Sequence, residues 1–167
     1  MITRFLLILV CASAVASSAK AQTKFTASED CAKMDPVYVV PVVDREGFVY
    51  IVGQLKCNMP LVVGGLKTTQ ETHTMVIEVL GPSIHLRNVG VTTYENGDKS
   101  FEQVTGKHDV KTGHDVLKWW FTGGTGKLSG IKGSGTAICT PRPKAQGEAD
   151  AGATCEVKGS YTLPKHA

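Results

Sequence analysis

The sequence predicts an all-β fold: an antiparallel β-barrel of about eight strands, with a two-sheet sandwich as second choice. Three observations predict it. β-Branched and aromatic runs recur from Val37 onward, separated by turn residues. Eighteen glycines are spread among those short runs, and no strand alternates with a long helical pattern, which excludes α/β folds. The last run has a period of two: Cys155, Val157, Gly159, Tyr161 and Leu163 share one face, and Glu156, Lys158, Ser160 and Thr162 share the other. That pattern belongs to a strand with one buried and one wet face.

The elements follow in chain order. Met1–Ala21 reads as a secretory signal peptide. Arg4 supplies the positive start, Phe5–Val10 a short apolar stretch, and Ala19-Lys20-Ala21 the small residues of a cleavage site. The apolar run is too short to span a hydrocarbon core of roughly 30 Å. Cys11 raises a lipoprotein alternative, but Val10 before it is not the small residue such a signal needs. The mature domain is then 22–167, a single unit in a periplasmic or secreted setting. Without Arg4 and Lys20, sixteen of the 18 basic residues face fifteen acids. A near-neutral chain carries no electrostatic footprint for nucleic acid.

Ser28–Met34 is the best helix candidate, at most one turn, with Ser28 as cap. Val37–Val43 reads as a strand that Pro41 confines to an edge. Asp44–Gly47 turns the chain into Phe48–Val52. Further strands are expected at Thr74–Leu80, Ile84–Tyr94, Ser100–Val104, Val116–Thr122, Lys127–Ile131 and Gly135–Thr140. Gly81-Pro82 and Glu95-Asn96-Gly97-Asp98 are the intervening breakers, the second carrying the Asn-Gly hairpin signal.

Four cysteines remain beyond the leader: Cys31, Cys57, Cys139 and Cys155. An even number in an exported chain reads as two disulfides. Three connectivities are open. Cys31–Cys57 and Cys139–Cys155 are favoured because each joins sequence neighbours, the latter closing a polar Pro/Gly/Ala-rich loop. No Cys-x-x-Cys pair is present, so no zinc site is expected, nor any other metal or cofactor.

The run from Trp119 to Thr136 contains Gly124-Thr125-Gly126-Lys127, which invites a phosphate-loop reading. Leu128 stands where that loop needs Ser or Thr, and Gly130, Gly133 and Gly135 exclude the helix that must follow. The alternative is a hairpin leading into a glycine-kinked strand of a curved wall. This segment resembles a late hairpin of the allene oxide cyclase and dirigent-like barrels. With Cys155–Pro164 it is also similar to a group of uncharacterised bacterial exported proteins. The resemblance covers residues 94–164. It implies an antiparallel eight-stranded barrel with an apolar interior. It transfers no catalytic residue, because the matching hairpin is structural.

Candidate site residues are few. Trp119 and Trp120 place one indole on each face of a strand, one for the core and one free to stack on a ligand. His85 alternates with Ile84 and Leu86; if the barrel holds a polar spot, His85, Arg87 or His73 would line it. His108 and His114 are six apart, whereas a ligand pair on a strand sits at i, i+2, so they read as solvated loop residues. No Gly-x-Ser-x-Gly elbow appears, and the mature cysteines are all committed to bridges. The function expected is a small exported barrel that binds a small apolar ligand, more a binding protein than an enzyme. The alternatives are an allene-oxide-cyclase-like cyclase or isomerase, discriminated by a buried ionisable group in the lumen, and a surface interaction or inhibitor module. No transmembrane segment is expected in the mature chain. The oligomeric state is not legible.

Overall fold

Alternation along these strands builds a closed wall. The computed structural model describes residues 22–143 and 151–164, so the signal peptide expected at 1–21 lies outside them. The strands are β1 (Thr23–Cys31), β2 (Val37–Pro41), β3 (Phe48–Asn58), β4 (Val62–Val63), β5 (Leu66–Leu80), β6 (Ser83–Tyr94), β7 (Lys99–Asp109), β8 (His114–Gly124), β9 (Lys132–Pro141) and β10 (Ala153–Thr162). Eight of them close a ring in the order β3-β1-β10-β9-β8-β7-β6-β5, because β5 pairs back onto β3. All pairings are antiparallel. β2 and β4 lie outside the ring, as short partners of β3 and β5. Closure removes the unpaired edges that an open sheet of this size would expose.

Two expectations are corrected. The helical turn at Ser28–Met34 is not formed; Ser28–Cys31 is strand, with Glu29 and Cys31 buried and Ser28 and Asp30 more exposed. Pairing to β10 over the whole of Thr23–Cys31 overrides the weak capping signal. The strand expected at Lys127–Ile131 is instead a 3-10 turn at Gly126–Leu128, and β9 begins at Lys132. Gly126 and Gly130 both take positive φ (50° and 73°), which breaks the extended chain and turns Leu128 inward. Beyond that turn, Gly133 and Gly135 lie in β9.

Two apolar clusters fill the interior. Leu86, Val104, Leu117, Trp119, Ala137 and Val157 belong to the first. Val63, Leu66, Tyr94, Leu128, Ile131 and Tyr161 form the second, which plugs the end of the barrel where β4 and the 3-10 turn cross it. Val63 and Leu128 are wholly buried there, each worth about 1.5–3 kcal/mol of transfer free energy.

Both favoured disulfides are present. Cys139 and Cys155 face each other in the β9–β10 register. Cys31–Cys57 has a different setting: β1 meets β3 through only Asp30↔Asn58 and Cys31↔Cys57, and the bridge staples that seam.

Candidate functional site

β5 carries Glu71 and His73 two residues apart, so both project into the lumen. Their register partners on β6 are Thr92 and Gly90, and Gly90 in turn faces Glu102 on β7. A Cβ at position 90 would lie 2.7 Å from Glu102 Cγ. Glycine therefore leaves the gap through which the Glu102 side chain reaches toward His73. Glu29 arrives from β1 and completes the group.

The four side chains converge on one atom. His73 Nε2 lies 3.3 Å from Glu29 Oε1, 3.4 Å from Glu71 Oε1 and 3.9 Å from Glu102 Oε1. None of these contacts has the direction of a hydrogen bond: Nε2, Glu29 Oε1 and Glu102 Oε1 are buried without a hydrogen-bond partner. The other ring nitrogen, Nδ1, is 3.3 Å from Asn88 Oδ1, and Thr92 Oγ1 donates to Glu71 Oε1 at 3.1 Å.

Burial and mutual charge set the protonation. Burial opposes the imidazolium, but Glu29 and Glu71 beside it outweigh that and hold His73 well above its ordinary range. Burial also presses on Glu71, yet the neighbouring Glu102 carboxyl and His73 ring favour its charged form and bring its carboxyl down to about 2. Glu102 is raised well above the carboxylate range by burial and by the Glu71 charge. Glu29 is raised too, by burial first, against the pull of His73. Burial and mutual repulsion thus favour the protonated forms of Glu29 and Glu102, while Glu71 and His73 form the charged pair.

Next to this pole lies a cavity of about 110 Å³. At roughly 10–15 Å³ of such space per water, it has room for several waters or a small molecule. Its remaining walls are largely apolar, with Phe25, Met59, Met75, Leu86, Trp119 and Phe121 among them. The Phe25 and Phe121 rings pack 5.7 Å and 5.3 Å from the Trp119 indole. Trp119 Nε1 is buried with no acceptor.

The expected candidates separate accordingly. Trp119 is 5% exposed and lines the cavity, whereas Trp120 points outward and is 37% exposed. His85 and Arg87 are also outside, on the exposed face of β6, where His85 Nε2 lies 3.0 Å from Ser83 Oγ. Of the three residues named for a polar spot, His73 alone occupies it, because Leu86 and Asn88 take the inward positions of β6. His108 and His114 are strand residues rather than loop residues, held by Asp115 at 2.8 Å and by Thr140 at 3.1 Å. The interior is not purely apolar, against the expectation attached to the barrel. Glu29, Glu71 and Glu102 escaped sequence reasoning, although Glu71-Thr72-His73 has the i, i+2 spacing of a strand ligand pair.

No family model matches the chain, and no curated protein matches it in sequence. The solved structures similar in fold include two dirigent proteins. The pterocarpan synthase dirigent protein PsPTS1 superposes with a TM-score of 0.50 at 14% identity, covering 87% of this chain and 97% of its own. For the pterocarpan synthase dirigent protein GePTS1 the values are 0.49, 11%, 95% and 98%. At 14% identity the likeness to PsPTS1 is one of fold alone, here an antiparallel barrel of eight strands.

Proposed function

We propose that the protein is an exported barrel that holds a small, largely apolar molecule in its lumen, its polar end against the Glu71–His73–Glu102 wall. One observation carries the reading: a largely apolar cavity with a polar wall, four of whose buried atoms (Glu29 Oε1, Glu71 Oε2, His73 Nε2 and Glu102 Oε1) have no hydrogen-bond partner. Such groups cost about 1–3 kcal/mol each when left unsatisfied, and a ligand group or water in the cavity would answer them. Trp119, at the cavity wall, is the candidate stacking surface. Trp120, His85 and Arg87 lie outside this lumen and would serve a ligand only on the outer wall. Two disulfides support an oxidising compartment, and with it removal of the leader at 1–21.

Native and denaturing mass spectrometry of the purified protein test the reading together. A discrete excess mass that disappears on denaturation is expected. A bare chain, with no change in Trp119 fluorescence on titration with small aromatic probes, would overturn it and favour a protein whose activity lies on its surface.

A second reading has its own support. Four ionisable groups in the lumen wall are what a cyclase or isomerase would need, and a passive container would not. The released molecule, returned to fresh protein, should then convert to an isomer of equal mass. Recovery unchanged would leave binding alone.

A further inference from the structure

We propose that Glu71, His73 and Glu102, with Glu29 beside His73, form a binding site for one divalent first-row transition ion. The inference concerns the polar wall alone and does not depend on an apolar ligand in the lumen.

Geometry is the first support. One ligand atom each from Glu71, His73 and Glu102 lie within 4.8 Å of one another. Metal–ligand bonds of about 2.0–2.2 Å place neighbouring donor atoms about 3.0 Å apart in an octahedron and about 3.4 Å apart in a tetrahedron. Of the separations around His73 Nε2, 3.3 and 3.4 Å match the tetrahedral value and 3.9 Å exceeds it. These atoms point at a shared space rather than at each other, since Nε2, Glu29 Oε1 and Glu102 Oε1 have no hydrogen-bond partner.

The surroundings are the second support. Asn88 Oδ1 lies at the far ring nitrogen. A proton held on Nδ1 by that oxygen leaves the Nε2 lone pair facing the carboxylates, which is how outer residues orient a metal-bound histidine. Thr92 fixes Glu71 in the same way. Gly90 keeps the space between β5 and β7 clear. A divalent ion would let the three buried carboxyl groups ionise together, which a single imidazolium does not balance.

The donor set names the class of ion. Imidazole with carboxylates suits Mn(II), Fe(II) or Zn(II) rather than Cu(I), which seeks thiolates. The neighbouring Cys31, Cys57 and Cys155 are bridged and offer none.

The chain has five histidines, so converting His85, His108, His114 and His166 to Gln leaves His73 as the sole imidazole. This variant, stripped with chelator, is titrated with Mn(II) and followed by electron paramagnetic resonance. One bound ion per chain, with nitrogen coupling from an imidazole and displacement by Zn(II), is the expected result. Glu102→Gln should weaken Mn(II) at least about tenfold, and Asn88→Ala by about 10–100-fold through lost orientation of the ring. No saturable binding would overturn the site. So would an ion bound without imidazole coupling, or equal affinity in Glu102→Gln. Because the nitrogen coupling is read on a chain that keeps every proposed ligand, the test holds even where a cluster variant fails to fold.

Discussion

The indole of Trp119 lies directly on the backbone of Gly159: a Cβ at 159 would collide with its ring, and one at Gly135 would come 2.7 Å from Trp119 Cζ2. β9 and β10 therefore offer two adjacent glycines as the bed on which the largest lumen side chain rests. Gly159→Ala should destabilise the fold by about 1–3 kcal/mol through overpacking. Trp119→Ala should cost about 3–5 kcal/mol through the cavity it opens. The pair should be non-additive, because removing the indole relieves the ring clash and leaves only the contact of the new methyl with Ser134 O, 2.8 Å away. Denaturant unfolding of the two single variants and the double variant measures this; simple additivity would mean the ring does not bear on that glycine.

The two disulfides should differ in consequence although their sequence separations, 26 and 16, are of the same order. Loop entropy alone predicts nearly equal losses, since it grows only with the logarithm of loop length. Cys139 and Cys155, however, lie within a pairing that runs from Lys132 to Pro141. Cys31 and Cys57 hold a seam of two residue pairs, and Glu29 projects into the lumen two positions away. Replacing Cys31 and Cys57 by Ser should cost about 2–5 kcal/mol and speed amide exchange at Asp30 and Lys56–Asn58. The Cys139/Cys155 pair of substitutions should leave those amides protected. Equal exchange in both variants would remove the special role of the seam.

His73 carries the compensating charge of the buried cluster. His73→Leu leaves three carboxyl groups facing one another, and should cost about 3–5 kcal/mol, as breaking a buried pair does. Adding Glu71→Gln to His73→Leu should recover part of the loss, because it removes the carboxylate that His73 compensates. Unfolding free energies measured with chelator present decide it; no recovery would mean that packing of the ring, rather than its charge, is what counts.

The fold was legible because eight strands with one wet face write their alternation into the chain, as in Cys155–Leu163. The wall around the site was not. Residues 67–74 read Lys-Thr-Thr-Gln-Glu-Thr-His-Thr, polar on both faces, so β5 shows no buried face there and its expected start fell at Thr74 rather than Leu66. Glu102 likewise occupies an inward position that ordinarily takes an apolar residue. What brings it to His73 is the register across Gly90, a relation between three strands that no single strand displays. His85 and Arg87 show the same limit from the other side. Their face was readable from Ile84 and Leu86, but which face enclosed polar groups depended on β5 and β7.

Tyr94 gives an alkaline signature of the plugged end. Burial, against the pull of the Ser100 hydroxyl, pushes its phenol from an ordinary 10 up to about 12. Below pH 10 both folded and unfolded chains keep this proton, so the contribution to stability is constant and fully present. Between pH 10 and 12 the unfolded chain loses the proton while the folded chain keeps it, so stability falls as pH rises through that window. Tyr94→Phe should be less stable at neutral pH, by about 1–3 kcal/mol, because the buried Ser100 hydroxyl loses the partner 3.1 Å away. The same variant lacks the titrating group. Its deficit relative to the parent should therefore shrink from pH 10 upward, when both are unfolded in urea at pH 9, 10 and 11. A deficit that stays constant across those values would show that the Tyr94 phenol ionises as readily in the barrel as in the open chain.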